Sequence, residues 1–585
     1  MATNKTARDT MVIVAVVVAV CVTIFANLLA DKKFGRIDLT KEGRYSLSQP
    51  FRNILGRLEP TDNGAPSCEI TYYVSEKAVP EFAHYRRDML DKLREIETFS
   101  NGKIKVTATD PSSDKDLRER LKKDGCENEI MTYEKDQQHQ ALVFSVIEMT
   151  YRDKPKVQIK WIYEADLLEY ELGSRIVAMT LKQKPVIAVM IPPSPPQPPQ
   201  MGRRPPGSGF EWLREGYFDR DKKFDVRGVD LNENSAIPAD AELFIMVRPR
   251  NLTERQKYEI TRYLAGGGKM LLLASEFKVS YEFAYRIEKT PTGLEDYLKE
   301  LGVTLGQDFV ADNACLKIAF PNPMTGEAEY KRAPIFIRIL PENIDQESVL
   351  TKLMPNMMVL SPSEIALDSD KLSRNGLVSH VLAKTSPQSW IIPFSEGVNF
   401  DKESEYDEEK QTYTGSRNVF VLLEGQFAFP YEGKPVPPWE PNRPPAEKDK
   451  EKDKEKKEEP ALQKKSGALA IFSGPEAFHE LYMTDRQLGQ LLQGNIAAIS
   501  NMAEKFSLGD DLIQLRTKRY ETRSIKSLGG AENDWRRFLV KAGLIGGPAV
   551  VLFLFATVWF IYRRAKQVRY ERKYAATTGP SSFTP

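Results

Sequence analysis

Apolar residues are spaced along this chain in three distinct ways. Two stretches, 11–30 (MVIVAVVVAVCVTIFANLLA) and 543–562 (GLIGGPAVVLFLFATVWFIY), carry no charge. Each is long enough to cross a hydrocarbon layer of roughly 30 Å, so both predict transmembrane helices. A cleavable leader is the rival reading of the first, but its apolar run is too long and no small-residue cleavage site closes it. Elsewhere the spacing is helical or strand-like. Phe51, Ile54, Leu55 and Leu58 stand at i, i+3, i+4 and i+7, which gives one apolar helix face. Ser46, with Gln49 three places on and Pro50 next, predicts the cap of that helix. Then 68–74 (CEITYYV) predicts a strand, 80–100 a helix, and 102–111 a second strand ending in a turn. Residues 141–163 predict a hairpin turning at Arg152 to Pro155, and 166–182 a helix leading out. The β-α-β order implies a small α/β domain with a parallel pair, thioredoxin-like in outline, over 31–183.

From 184 the third rhythm takes over. KPVIAVMI, FDVRGVDL (224–231) and ELFIMV (242–247) include the short continuous apolar runs of strands buried on both faces. A helix is expected to start near Thr253, followed by a glycine turn and another buried strand. This spacing predicts a doubly wound, Rossmann- or flavodoxin-like sheet over 184–530. Residues 294–303 predict a short helix, 418–429 a long strand or strand pair, and 467–474 a strand that returns to the same domain. Residues 484–506 predict a helix capped by Asp485, and 511–525 a strand with a basic edge.

Charge sharpens this outline. Every residue of 447–459 is Lys, Asp or Glu, so nothing there can be buried, and 433–466 reads as a solvated insertion. The proline-rich loop 192–209 reads as a surface excursion. Arg563, Arg564, Lys566, Arg569, Arg572 and Lys573 follow the second apolar segment, which places 563–585 in the cytoplasm by the positive-inside rule. Two spans then put residues 1–10 on the same side and the bulk of the chain outside. Over all 585 residues, 83 Lys and Arg balance 82 Asp and Glu, so there is no global field to attract nucleic acid.

Candidate chemistry is sparse. Cys21 lies in the first apolar run, leaving Cys68, Cys126 and Cys315 to form at most one disulfide, and no C-x-x-C offers zinc or dithiol chemistry. His84, His139, His380 and His479 are scattered, as surface histidines would be. AGGGK (265–269) follows a helix and precedes a strand, the reverse of a phosphate-binding loop, so it reads as a helix stop and a turn. Ser275 ends a strand without the flanking glycines of a nucleophile elbow. No cofactor motif is present, and no residue is assigned a catalytic role.

Taken in order, RIDLTKEGRYSLSQP (36–50), YRRDMLDKLREIETFSNGKIKVTATDP, VDLNENSAIPADAELFIMVRPRNLTERQKYEITRYLAGGGKMLLL, LEDYLKELGVTLGQDFVAD and DDLIQLRTK before the last apolar segment resemble the GldG-like family. That family supplies the auxiliary component of a gliding-motility-associated ABC transport system. The charged insertion and the proline-rich loop depart from its pattern. The resemblance implies a non-enzymatic protein of the bacterial inner membrane that partners an ABC permease and a cytoplasmic ATPase. It also suggests an envelope polysaccharide as ligand. In the opening stretch Arg36, Asp38, Thr40, Tyr45 and Ser46 are the binding candidates, with structural anchoring as their alternative role. The competing class is an envelope glycan-binding protein or hydrolase working at the carboxyl ends of the strands, near Ser275 or Asp230.

Overall fold

The structure is a computed structural model that describes residues 46–61, 64–76, 80–134, 137–194, 208–219, 221–280, 286–321, 328–352, 354–394, 412–439, 462–483, 488–516, 554–570 and 572. The chain divides into two compact units, Met1–Arg519 and Tyr520–Pro585. The fold is mixed α/β, with both parallel and antiparallel strand pairing.

The first lobe begins with helix α1 (Gln49–Gly56), followed by β1 (Cys68–Val74), α2 (Pro80–Phe99), β2 (Ile104–Thr109), β3 (Ser145–Tyr151), β4 (Val157–Lys160) and α3 (Ala165–Thr180). Its sheet runs β2-β1-β3-β4. β1 pairs parallel with β2 and antiparallel with β3, and β3 and β4 form the expected hairpin. A helix (Lys115–Lys123) and a separate hairpin (Asn128–Glu134 with Gln137–Val143) are inserted before β3, neither of them anticipated.

The apolar face of α1 packs as its spacing predicts, with Phe51, Ile54 and Leu55 buried. Its cap is Ser48, however, and not Ser46. Ser48 has extended backbone and its hydroxyl accepts from the Phe51 amide at 3.4 Å. Gln49 is then the first helical residue and cannot reach back as a capping-box side chain. Glu169 of α3 takes that part instead, accepting from the Ser48 amide at 3.2 Å and from its hydroxyl. Replacing Ser48 with alanine removes the two bonds of its hydroxyl, from the Phe51 amide and to Glu169, keeps the amide bond to Glu169, and is expected to cost about 1–2 kcal/mol. Urea unfolding of the full chain measures this, and an unchanged midpoint would show that the cap is dispensable.

The second lobe is built on seven strands: β5 (Val186–Met190), β6 (Asp225–Gly228), β7 (Ala241–Val247), β8 (Lys269–Ala274), β9 (Leu377–Lys384), β10 (Asn418–Gln426) and β11 (Ser466–Ser473). Their order is β9-β10-β11-β8-β7-β5-β6. The five strands from β11 to β6 are parallel, and β10 and β9 add antiparallel pairs at one edge. Alternate residues enter separate cores on the two faces. Ile187, Val189, Ile245, Leu271 and Ala470 go to one, while Ala188, Phe244, Met246, Leu272 and Leu469 go to the other. Burial on both faces is why these strands read as unbroken apolar runs.

Helix α4 (Glu254–Ala265) crosses from β7 to β8 and starts at a complete capping box of Thr253 and Gln256. It stops where expected. Gly267 has φ +94°, and a Cβ there would lie 2.7 Å from Lys465 Cβ. β11 returns to the sheet after the charged insertion, so that insertion is a loop of this lobe. Between β8 and β11 the chain also builds a hairpin (Phe277–Ser280 with Arg286–Lys289) and two three-stranded sheets that the sequence pattern did not announce.

Helices α5 (Gln493–Leu508) and α6 (Asp511–Arg516) close the body. The strand expected over 511–525 is therefore helical as far as Arg516, and its remainder lies outside the described residues, as does Asp485. Leu512 and Leu515 of α6 join the first lobe's core and Ile513 joins the second's. This burial on two sides leaves no single stripe, which hid the helix in the sequence.

The apolar segment 11–30 lies outside the described residues, and of 543–562 only 554–562 is described, as part of a helix over 554–570. Among the described residues no helix is long and apolar enough to cross a membrane.

Candidate functional site

In an open α/β sheet, ligands meet the carboxyl ends of the strands where the strand order reverses. Here the reversal falls at β5, with β6 on one side of it and β7 on the other. The parallel register sets Val247 beside Leu273, and Ala274 beside Ser473. The segments that leave this edge are therefore Ser208–Phe210, which leads into a short helix (Glu211–Arg214), then Arg248–Arg250, Ser275–Lys278 and Gly474–His479.

Arg248 is the first residue past β7. Its backbone is left-handed, φ +47°, an uncommon conformation outside glycine and Asn or Asp, and one that clusters at functional sites. Its guanidinium lies 5.2 Å from the centroid of the buried Phe210 ring, and Nη1 donates to Glu476 Oε1 at 2.6 Å. Phe210 meets His479 edge to face, with centroids 5.3 Å apart. Burial pushes the His479 imidazole below its ordinary pKa, against the opposing pull of Glu476. His479 was read from the sequence as a surface residue. It instead packs where Gly209 leaves room, since a Cβ on Gly209 would fall 2.0 Å from its Nε2.

Two cations beside this pair, Arg250 and Lys278, make no ion pair among the described residues. Arg250 Nε and Nη2 are buried and have no hydrogen-bond partner among the described residues. Burial, and then the Arg248 charge, lower its pKa to about 10. Lys278 lies on the 277–289 hairpin opposite Glu288. Its pKa is also lowered, by burial first and then by Arg250 and Arg248, while Glu288 and Glu476 act the other way. The strand edge thus gathers three cations, one of them in a tight ion pair.

Ser275 and Asp230 do not build a catalytic centre. The Ser275 hydroxyl is buried, bonded to the Ser361 carbonyl at 3.1 Å and 3.3 Å from the Ser363 hydroxyl. Neither partner is a base, so nothing activates it. The Asp230 carboxylate is held by Arg214, and its backbone amide donates to the Ser235 hydroxyl at 3.0 Å.

Of the opening-stretch candidates, Arg36, Asp38, Thr40 and Tyr45 lie outside the described residues. Ser46 is described, and its carbonyl accepts from Lys92 Nζ at 3.3 Å. Lys92 in turn pairs with Glu169 at 2.9 Å, and the Leu47 amide donates to Glu95 at 3.1 Å. These bonds clamp residues 46–48 onto α2 and α3.

The first lobe carries a second concave feature, a cavity of about 360 Å³ lined by residues that include Trp161, Tyr163, Leu167, Glu171 and Arg175. Tyr163 is 40% exposed and Leu167 50%, and Tyr163 meets Tyr85 edge to face at 5.7 Å. Trp161 is left-handed, φ +60°.

The sequence signals for the strand-edge site were present but indirect. VRPR sits directly after a buried strand, where a doubly wound sheet puts its ligand contacts. Glu476 and His479 are brought in by β11 from far along the chain, and no local motif marks them.

Comparison with protein families matches residues 211–493 to the model ABC_transp_aux, described as an ABC-type uncharacterized transport system. Residues 41–150 match a domain of unknown function, DUF7088. No curated protein and no solved structure matches the chain. The first match supports the broad family expected from the sequence, that of ABC-type transport. It covers the strand-edge site except β5 and Ser208–Phe210.

Proposed function

We propose that this chain is a non-enzymatic, membrane-anchored accessory subunit of an ABC-type transport system, whose extracytoplasmic body meets cargo or an envelope component. The family match over 211–493 carries this reading. Two features of the body support the anchoring. Asn53 of α1 and Arg57, just past its end, both reach Asp511 of α6, at 3.1 and 3.5 Å. The first described residues and the last ones of this unit are thereby held side by side, where the chain continues toward its two apolar segments. In the separate C-terminal unit, the 554–570 helix exposes Phe555, Val558, Trp559 and Ile561 to solvent at 54–71%. Apolar surface of that extent calls for a cover, and a bilayer fits a helix whose far end is basic.

In this reading both termini are cytoplasmic, the partners are a permease and an ATPase, and the first lobe is thioredoxin-like while the second is flavodoxin-like. The strand orders support both fold assignments. The finer assignment, a GldG-like component of a gliding-associated system, rests on the sequence motifs. A second reading, binding of an envelope polysaccharide, is favoured by the exposed Tyr163 and Leu167 beside Trp161 in the first-lobe cavity.

Affinity purification through a C-terminal tag, from native membranes in mild detergent, tests the proposal. The expected result is stoichiometric recovery of a multi-span permease and of an ATPase with a Walker motif. Recovery of the chain alone, in a detergent that keeps other ABC complexes intact, would overturn it and favour the polysaccharide reading.

A further inference from the structure

We propose that Arg248, Arg250 and Lys278, at the carboxyl edge of the seven-stranded sheet, form a binding site for a phosphate-class oxyanion. The inference deepens the accessory-subunit reading and rests on it for its biological setting, because it names a ligand chemistry for the strand edge of the second lobe.

Three observations carry it. The first is position. Arg248 and Arg250 follow β7 and Lys278 follows β8, so all three leave the edge of the sheet beside the reversal of strand order. That is where open α/β sheets bind ligands.

The second is the geometry of the unused donors. Nε and Nη2 lie on one edge of a guanidinium plane and form the fork that grips two oxygens of a single anion. In Arg250 these two atoms are buried without a partner among the described residues. Arg248 Nε is likewise buried and unmatched, while its Nη1 is committed to Glu476. Buried donors left in this way are rare and costly, and a missing acceptor explains them better than tolerance does.

The third is charge. Glu476 is paired with Arg248, at 2.6 Å, and reaches Arg250 and Lys278 only through its charge. The remaining nearby carboxylate, Glu288, is exposed on the hairpin and makes no ion pair with Lys278 or Arg250 among the described residues. Burial and mutual repulsion both disfavour the charged forms of Arg250 and Lys278. An anion with at least two negative charges would relieve both, and a singly charged carboxylate would leave one unmatched. This selects phosphate over carboxylate.

The test is calorimetric titration of the full chain in detergent with sodium pyrophosphate, at an ionic strength fixed with chloride. We expect saturable 1:1 binding, weakened at least tenfold by Arg250→Ala. Arg250→Lys, which keeps the charge but not the fork, should weaken binding by a smaller factor. Thermal unfolding of each variant checks that it folds. If Arg250→Ala does not fold, Lys278→Gln on the half-exposed hairpin carries the test, with an expected several-fold loss. A second arm titrates dioctanoyl phosphatidic acid. Equal sensitivity to the same variants means the site accepts a lipid headgroup, and binding of pyrophosphate alone assigns it to soluble phosphates. No saturable binding of either probe, or binding unchanged in the folded variants, would overturn the proposal and leave water as the partner of Arg250. Co-purification with a permease and an ATPase is unaffected by that failure, so the two readings fail separately.

Discussion

Replacing Lys223 with methionine is expected to destabilise the body by about 3–5 kcal/mol and to split its unfolding into two steps. Lys223 lies in the segment between the short 211–214 helix and β6, with its side chain only 4% exposed. Its ammonium pairs with Glu504 of α5 at 3.1 Å and with Asp221 at 3.4 Å, and it donates to Ser174 of α3 at 3.1 Å. Asp221 also meets Arg175 of α3 at 3.5 Å. Arg516 of α6 completes the network, reaching Glu504 at 2.5 Å and the Tyr170 hydroxyl at 2.6 Å. The contacts of Arg175 with Asp221, Ser174 with Lys223 and Tyr170 with Arg516 cross between the lobes, so the network fastens the lobes as well as stabilising them.

Methionine keeps the apolar stem but leaves Asp221 and Glu504 short of a cation in a buried site. Burial alone would lower the pKa of Lys223, yet Glu504, Tyr170, Asp221 and Asp219 outweigh it and hold the amine above its ordinary value. The sign follows from linkage. A raised lysine contributes its stability below the unfolded pKa near 10.5 and loses it only as pH rises through the folded value, so the full effect is present at neutral pH. Urea unfolding of the full chain at pH 7, followed by tryptophan fluorescence and by circular dichroism, gives the measurement. The wild type should show coincident transitions, and the variant a lower first midpoint with the two probes separating. A loss under 1 kcal/mol, with transitions still coincident, would mean that the network contributes neither stability nor coupling. The double variant Lys223→Met, Glu504→Leu should lose less than the sum of the two single changes, because a missing pair costs less than an orphaned charge.

Such a network cannot be read from sequence, and the contrast with what can be read has a physical basis. The central strands were legible because burial on both faces of a parallel sheet demands unbroken apolar runs, as in Val186–Met190 and Lys269–Ala274. The start of α4 was legible because a capping box is local, with Thr253 and Gln256 three residues apart. The cap of α1 was misplaced by two residues because Glu169, from a distant helix, does the work that Gln49 was expected to do. At the strand edge, Arg248 and Glu476 meet only because β11 lies beside β8 in the sheet, and β8 beside β7. The opening stretch YSLS could be read two ways, because hydroxyls serve both binding and anchoring. Its described part is tied down by Lys92, Glu95 and Glu169.

Between pH 4.5 and 7 the body should lose stability as pH rises, and Glu276→Gln should remove most of that slope. Glu276 begins the segment that leads into the 277–289 hairpin. It is 1% exposed, and its Oε1 has no partner among the described residues. Burial, and then the charge of Glu295, push its carboxyl up to about 7, while Lys289 pulls weakly the other way. Glu295 is the opposite case. Burial would raise it, but its own amide, the Thr292 hydroxyl and the Gly293 and Thr292 amides outweigh burial and hold it below the usual range. The two side chains are hydrogen-bonded, so Glu276 carries the proton and Glu295 the charge. From the ordinary 4.5 to about 7 the unfolded chain has released this proton and the folded chain still holds it. Stability therefore falls through that window, by about 3 kcal/mol in total for a shift of this size, and levels off above it. Glutamine keeps a neutral donor toward Glu295 and cannot ionise. The variant should match the wild type near pH 5 and exceed it by about 2–3 kcal/mol at pH 8, measured by urea unfolding at the two pH values. Parallel loss of stability in both proteins would show that Glu276 is not the group that titrates. The consequence reaches the anion site, because Lys278 is two residues beyond Glu276 on the same hairpin. Ionising Glu276 strains the base of that hairpin, so pyrophosphate affinity in the wild type should weaken above pH 7 by more than it does in Glu276→Gln.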